Sequence, residues 1–280
     1  MIFPLAGSHT LSSHRGRQRR QALVDVGLAA AAVVLGLASG GPRGAAWGWG
    51  IIILGGMFAA LQMMPAELSP GKAIDFSPAP ILGAVLALGS SCAVATIVFG
   101  LALVTAARVL RRPDRYAARD QVLDGIALTG LYGWAALAAW VLFRRADGDL
   151  PFASLTDSSL LPLGALFGGY LVALHIIGLV QAFPLERQRV RTMIAVHADV
   201  GLTLSRLLPL PLAVVLALFH HTYADESGTF AVIVLGIVGA LYGTHRIWAS
   251  RVAMQRRLDE LATLNRIGQA IKSDLSPERL

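Results

Sequence analysis

Long apolar runs with at most one charged residue each alternate with polar, often arginine-bearing loops along this chain, the runs falling at 22–39, 45–64, 77–107, 124–143, 158–182, 207–221 and 229–248. They show neither the strict alternation of a half-buried strand nor the single apolar stripe of a soluble amphipathic helix. About 20 helical residues cross a hydrocarbon core of about 30 Å, so runs of this length call for lipid as their solvent. The pattern predicts an all-α protein, a polytopic transmembrane helical bundle of about seven or eight spans. A polar N-terminus, 1–21, precedes the membrane region 22–248, and a charged helical tail, 249–280, follows it.

One run breaks the rhythm. The stretch opened by Ser77-Pro78-Ala79-Pro80 continues to Ala107 and is interrupted by Gly89-Ser90-Ser91. A single helix of that extent would be about 45 Å long, too long for one crossing without strong tilt. Charge favours two pieces, near 77–88 and 92–110. Arg108, Arg111, Arg112, Arg115 and Arg119 form the densest basic loop, which belongs on the cytoplasmic side with the arginines of the N-terminus. An even number of crossings must then separate them, so 77–110 reads as a short hairpin or a re-entrant half-helix followed by a span. Alternation from there puts both termini in the cytoplasm, and Arg144-Arg145 is the one basic pair that falls outside. Segment 185–206 reads as an amphipathic helix along the inner surface, ended by Pro209 and Pro211.

In the tail, apolar residues recur at Met254, Leu258, Leu261, Leu264 and Gly268 or Ile271. Steps of three and four suit a short parallel coiled coil, which predicts a homodimer through this helix.

Composition agrees with lipid burial: 55% of residues are hydrophobic, 15% are charged, and the mean hydropathy is +0.62. The net charge of +7 is nearly all arginine, with Lys72 and Lys272 the only lysines. These arginines flank apolar runs instead of forming one stripe, so they read as anchors to anionic lipid and no nucleic-acid partner is expected. Cys92 is the only cysteine, which excludes an intrachain disulfide.

No metalloprotease, nucleophile-elbow or phosphate-loop motif occurs, and no acidic pair stands out inside a run. Catalytic residues and cofactors are therefore not assigned. His175, within an apolar run, and His197 and His245, near the inner face, are the candidates for holding a haem or metal. The commoner role for each is a histidine hydrogen-bonded to a neighbouring backbone carbonyl or hydroxyl. His220, His221, Asp225 and Glu226 form a polar outer loop that would suit pH sensing or a divalent cation, or simply a solvated turn. Trp47, Trp49 and Trp140 fit interfacial anchors. The pairs Gly164/Gly168 and Gly239/Gly243 would permit close helix contact.

The final stretch, Leu258 to Leu280, with its Leu-Asn-Arg-Ile-Gly-Gln-Ala-Ile core, resembles the opening helix of GAF domains. Asp75-Phe76-Ser77-Pro78-Ala79-Pro80, before a Gly-broken hairpin and an Arg-rich loop, resembles the membrane-associated sensor (MASE-type) regions of bacterial signalling proteins. The resemblance implies an inner-membrane input module feeding a GAF domain and, beyond it, a histidine kinase or a cyclic-di-GMP enzyme. Leu280 lies about one helix into such a GAF fold, which implies a natural truncation or a fragment, with any enzymatic output further on. Two other classes stay open: a small-molecule transporter or channel subunit, and a haem- or metal-binding membrane protein.

Overall fold

The computed structural model describes residues 8–39, 45–64, 66–69, 72–111, 115–182, 209–223 and 225–274. These form eight α-helices: α1 Ser8–Ala38, α2 Ala45–Gln62, α3 Pro78–Leu88, α4 Ser90–Arg111, α5 Arg115–Arg145, α6 Leu160–Ala182, α7 Pro209–Thr222 and α8 Ser227–Asp274. Five are long and apolar enough to cross a membrane, while α2, α3 and α7 contribute shorter apolar stretches. A two-stranded antiparallel ribbon, β1 Ala66–Ser69 and β2 Lys72–Ile74, links α2 to α3. The apolar periodicity gave no sign of it, because strands of four and three residues are too short to set a pattern.

Three helices outrun the apolar runs that predicted them. α1 begins at Ser8, well inside the segment read as a polar N-terminus, and α5 begins at Arg115. Arginine, glutamine and alanine are good helix formers, so each helix extends into its polar flank. The span at 229–248 and the charged tail prove to be one helix, α8, of 48 residues. Neither proline nor glycine occurs between Thr244 and Ile267, so nothing terminates it there.

Glycines set the closest helix approaches. A Cβ on Gly100 would lie 2.4 Å from Phe58 and 2.8 Å from the Gly55 carbonyl, which brings α4 against α2. Gly130 and Gly133 seat α5 on Ala29 and Ala32 of α1, and Gly169 seats α6 on Ala138 and Ala139 of α5. Gly164, Gly168, Gly239 and Gly243 have open space at the Cβ position, so neither predicted glycine pair makes a close contact here.

These contacts fix directions. α1 and α5 run parallel from a basal end, marked by Arg20, Arg108, Arg111 and Arg119, to a distal end. α4 and α6 return, as Ser39 Oγ to Ser90 Oγ at 2.7 Å and Gln181 Nε2 to the Ala127 carbonyl at 2.8 Å require. At the centre lies α3, all eleven of its residues buried among α2, α4, α5 and α7. α8 packs against α7, α2 and β1.

Candidate functional site

At 11 and 14 residues, α3 and α7 are about 16 Å and 21 Å long, roughly half to two-thirds of a hydrocarbon core. They lie side by side and parallel. Gly83 faces Ala213 and Leu216, and at the distal end Leu88 and His220 both border Gly50 of α2. Both open on a Pro-x-Pro sequence.

A helix that starts in the interior must satisfy its first N–H groups there. In α3, Pro78 and Pro80 have no N–H to satisfy. The Ser77 N–H donates to Asp75 Oδ1 at 2.8 Å, and the Ala79 N–H donates to the Phe76 carbonyl at 3.1 Å. At the other end, Gly89 at φ +85° reverses the chain into α4, a conformation that favours glycine. The Leu86 carbonyl accepts from the Phe152 N–H at 3.0 Å, so the 146–159 loop closes that terminus.

The start of α3 is the hub of a polar cluster. The Tyr132 hydroxyl donates to Asp75 Oδ2 at 3.1 Å and accepts from Gln62 Nε2 at 3.0 Å. Gln62 Nε2 also reaches Ser77 Oγ at 3.0 Å, and Ser77 Oγ lies 3.5 Å from the Tyr132 oxygen. Phe58 packs edge-on to the Tyr132 ring, with centroids 5.7 Å apart. Tyr132 stands thirteen residues from Arg119 and twelve from Arg144, about 20 Å and 18 Å along α5. The cluster therefore sits midway along the bundle. It joins the end of α2, the start of α3 and the middle of α5 through a carboxylate held by two neutral donors. Hydroxyl and amide groups here engage one another, an arrangement suited to fastening three helices.

The residues singled out from the sequence lie elsewhere. His175 Nδ1 donates to the Leu171 carbonyl one turn earlier, at 2.6 Å. His245 is on α8, which packs against other neighbours than α6 does, and His197 lies outside the described residues. His220 turns inward, edge-on to Phe230 at 5.2 Å, while His221 and Asp225 are exposed. Glu226 Oε2 accepts from Thr229 Oγ1 at 3.0 Å in the first turn of α8. Among the described residues no group of three or more His, Cys, Asp or Glu side chains could hold a metal ion. Trp49 is exposed, Trp140 is partly buried, and the Trp47 side chain lies outside the description. Met254, Leu258, Leu261 and Leu264 are all exposed along α8. The surroundings of Gly268 and the side chain of Ile271 fall outside the described set, as does segment 185–206.

Sequence reasoning passed over Asp75 and Tyr132 as a pair. A signal was present: a carboxylate directly before a Pro-opened apolar run, and a tyrosine at the middle of a span instead of at its interfacial ends. Comparison with known proteins gives no match to a family model, a curated protein or a solved structure.

Proposed function

We propose that this chain is a membrane-embedded input module of a signal-transduction protein, with α8 as its output. The observation that carries the reading is the continuity of α8. Its 48 residues extend about 72 Å, whereas about 30 Å suffices to cross a hydrocarbon core. A rigid helix packed at one end against α7, α2 and β1 converts any shift of the bundle into movement of its far end. That far end carries the exposed row Met254, Leu258, Leu261 and Leu264, a face suited to a second copy of the chain. On this reading both termini are cytoplasmic and the stimulus is one that favours one packing of the bundle over another. The Asp75–Tyr132 cluster, which ties α2, α3 and α5, is the element such a stimulus would bias. The resemblance of the tail to the opening of a GAF domain supports the same direction of signalling, toward a cytoplasmic output domain.

Leu261→Asp is expected to lower self-association in detergent at least tenfold, measured by analytical ultracentrifugation, with unchanged thermal unfolding of the membrane region. Undiminished association would overturn the dimeric part of the reading.

A transporter or channel is the second reading. It is favoured by two parallel half-helices that begin near mid-depth beside a polar cluster, as discontinuous helices do at transport sites. Concentrative uptake of a solute into proteoliposomes would replace the first reading with this one.

A further inference from the structure

Helix α1 carries a carboxylate inside its apolar run. Asp25 is only 6% exposed, and its Oδ1 has no hydrogen-bond partner. Three helices converge at its level. The parallel register of α1 with α5, Ala29 on Gly130 and Ala32 on Gly133, sets Asp25 opposite the turn around Gly125. The antiparallel register of α1 with α4, fixed by Gly36 on Val94 and Ser39 on Ser90, sets it level with Thr105. Thr105 Oγ1 itself lies 2.6 Å from where a Cβ on Gly125 would stand. The same turn of α5 carries Asp124, adjacent to Gly125. One turn earlier is Gln121, whose Oε1 is also buried without a partner.

The chemistry of this junction is one-sided. Two carboxylates and an amide oxygen supply acceptors, and two of those oxygens have nothing to accept. An ionised carboxylate buried without a partner, as Asp25 would be, is costly, and a second carboxylate nearby adds to that cost. Arg20, Arg108 and Arg119 lie within five residues of the site along α1, α4 and α5, yet Asp25 Oδ1 and Gln121 Oε1 have no hydrogen-bond partner among the described residues. What the site lacks is a positive charge that takes oxygen ligands. Hard cations do so. Only one carboxylate, Asp25, is buried here, beside neutral oxygens and the exposed Asp124, so the charge to be balanced is closer to one than to two.

We propose that Asp25, Asp124, Gln121 and the Thr105 hydroxyl form a binding site for a monovalent alkali cation at the junction of α1, α4 and α5. An ion there links the first helix to the α4–α5 pair through ligands from all three, and its occupancy sets how firmly α1 is held. The site stands apart from the Asp75 cluster and does not depend on the signalling role of α8.

The test is thermal unfolding of the full chain in detergent, in sodium, potassium or choline chloride at matched ionic strength and constant pH. Sodium or potassium is expected to raise Tm by roughly 3–6 °C over choline, the size of shift that ligand linkage gives a protein of this length. Asp25→Asn is expected to abolish the difference. Thr105→Val and Gln121→Ala are expected to weaken the apparent cation affinity about tenfold each, and they keep the test decisive if Asp25→Asn does not fold. Equal melting in all three salts overturns the proposal, as does a cation response that survives in Asp25→Asn. Stabilisation by acid with no response to sodium or potassium also overturns it, and assigns a shared proton to the carboxylates. None of these outcomes bears on self-association through α8, which Leu261→Asp reads separately.

Discussion

Helices α3 and α8 draw on the same apolar residues and meet opposite surroundings. Every residue of α3 is buried by protein. On α8, by contrast, Val232, Leu235, Tyr242, Ile247 and Trp248 are between 41% and 69% exposed. Apolar composition therefore does not say whether a helix is solvated by lipid or by its own chain. The ends say more. α3 is too short to cross and has termini that need partners inside the bundle, which the Asp75 carboxylate and the 146–159 loop provide. Protein has to surround such a helix, because lipid tails offer its ends no hydrogen bonds. α8 satisfies its backbone along its whole length and can stand at the edge of the bundle. One helix is thus core on every side, and the other leaves an apolar face uncovered by its own chain.

Three pairs or single changes would break or sharpen this comparison. The largest difference is expected from truncating equivalent leucines. Leu82→Ala in α3 leaves a cavity and should cost about 2–4 kcal/mol of stability, whereas Leu235→Ala on the open face of α8 should stay within about 0.5 kcal/mol. Chemical or thermal unfolding in detergent measures both, and equal losses would mean that α3 is not the core. Next comes a glycine pair. Gly100→Ala drives a methyl into Phe58 and the Gly55 backbone and should destabilise by about 1–3 kcal/mol. Gly239→Ala meets open space and should be neutral or slightly stabilising in a detergent-solubilised monomer, through helix propensity. The smallest of the three is Tyr132→Phe. It strips Asp75 Oδ2 of its donor and Gln62 of an acceptor, and should cost about 1–2 kcal/mol. Hydrogen exchange should rise first at the α2–α3 connection, and an unchanged profile there would show that the cluster does not fasten these helices.

Much of the bundle was legible in the sequence. The break at Gly89 and the short helix before it could be located because proline and glycine punctuate the chain locally. The polar clusters were less legible, for different reasons. Asp75, Gln62 and Tyr132 are up to 70 positions apart, and only the packing of α2, α3 and α5 joins them. Asp25 stood in plain view inside the first apolar run, yet a single aspartate there reads as the edge of a span until α4 and α5 are laid against it. The likeness between Pro78-Ala79-Pro80-Ile81 and Pro209-Leu210-Pro211-Leu212 was also present in the text. It gains meaning once the two helices are seen side by side and parallel.

By itself the sequence determined that this is an all-helical chain, the short ribbon apart, with helices fit for a bilayer, because hydrophobic run length and helix-breaking residues act over a few turns. It also determined the apolar row on the charged tail, which needs no neighbour to be recognised. Tertiary structure alone decided which apolar helices the protein keeps for its own core and which face outward. It alone decided that the span and the tail are one helix, and which polar groups meet. Those outcomes depend on close approaches such as Gly100 to Phe58 and Gly130 to Ala29, contacts between residues distant in the chain that no local pattern encodes.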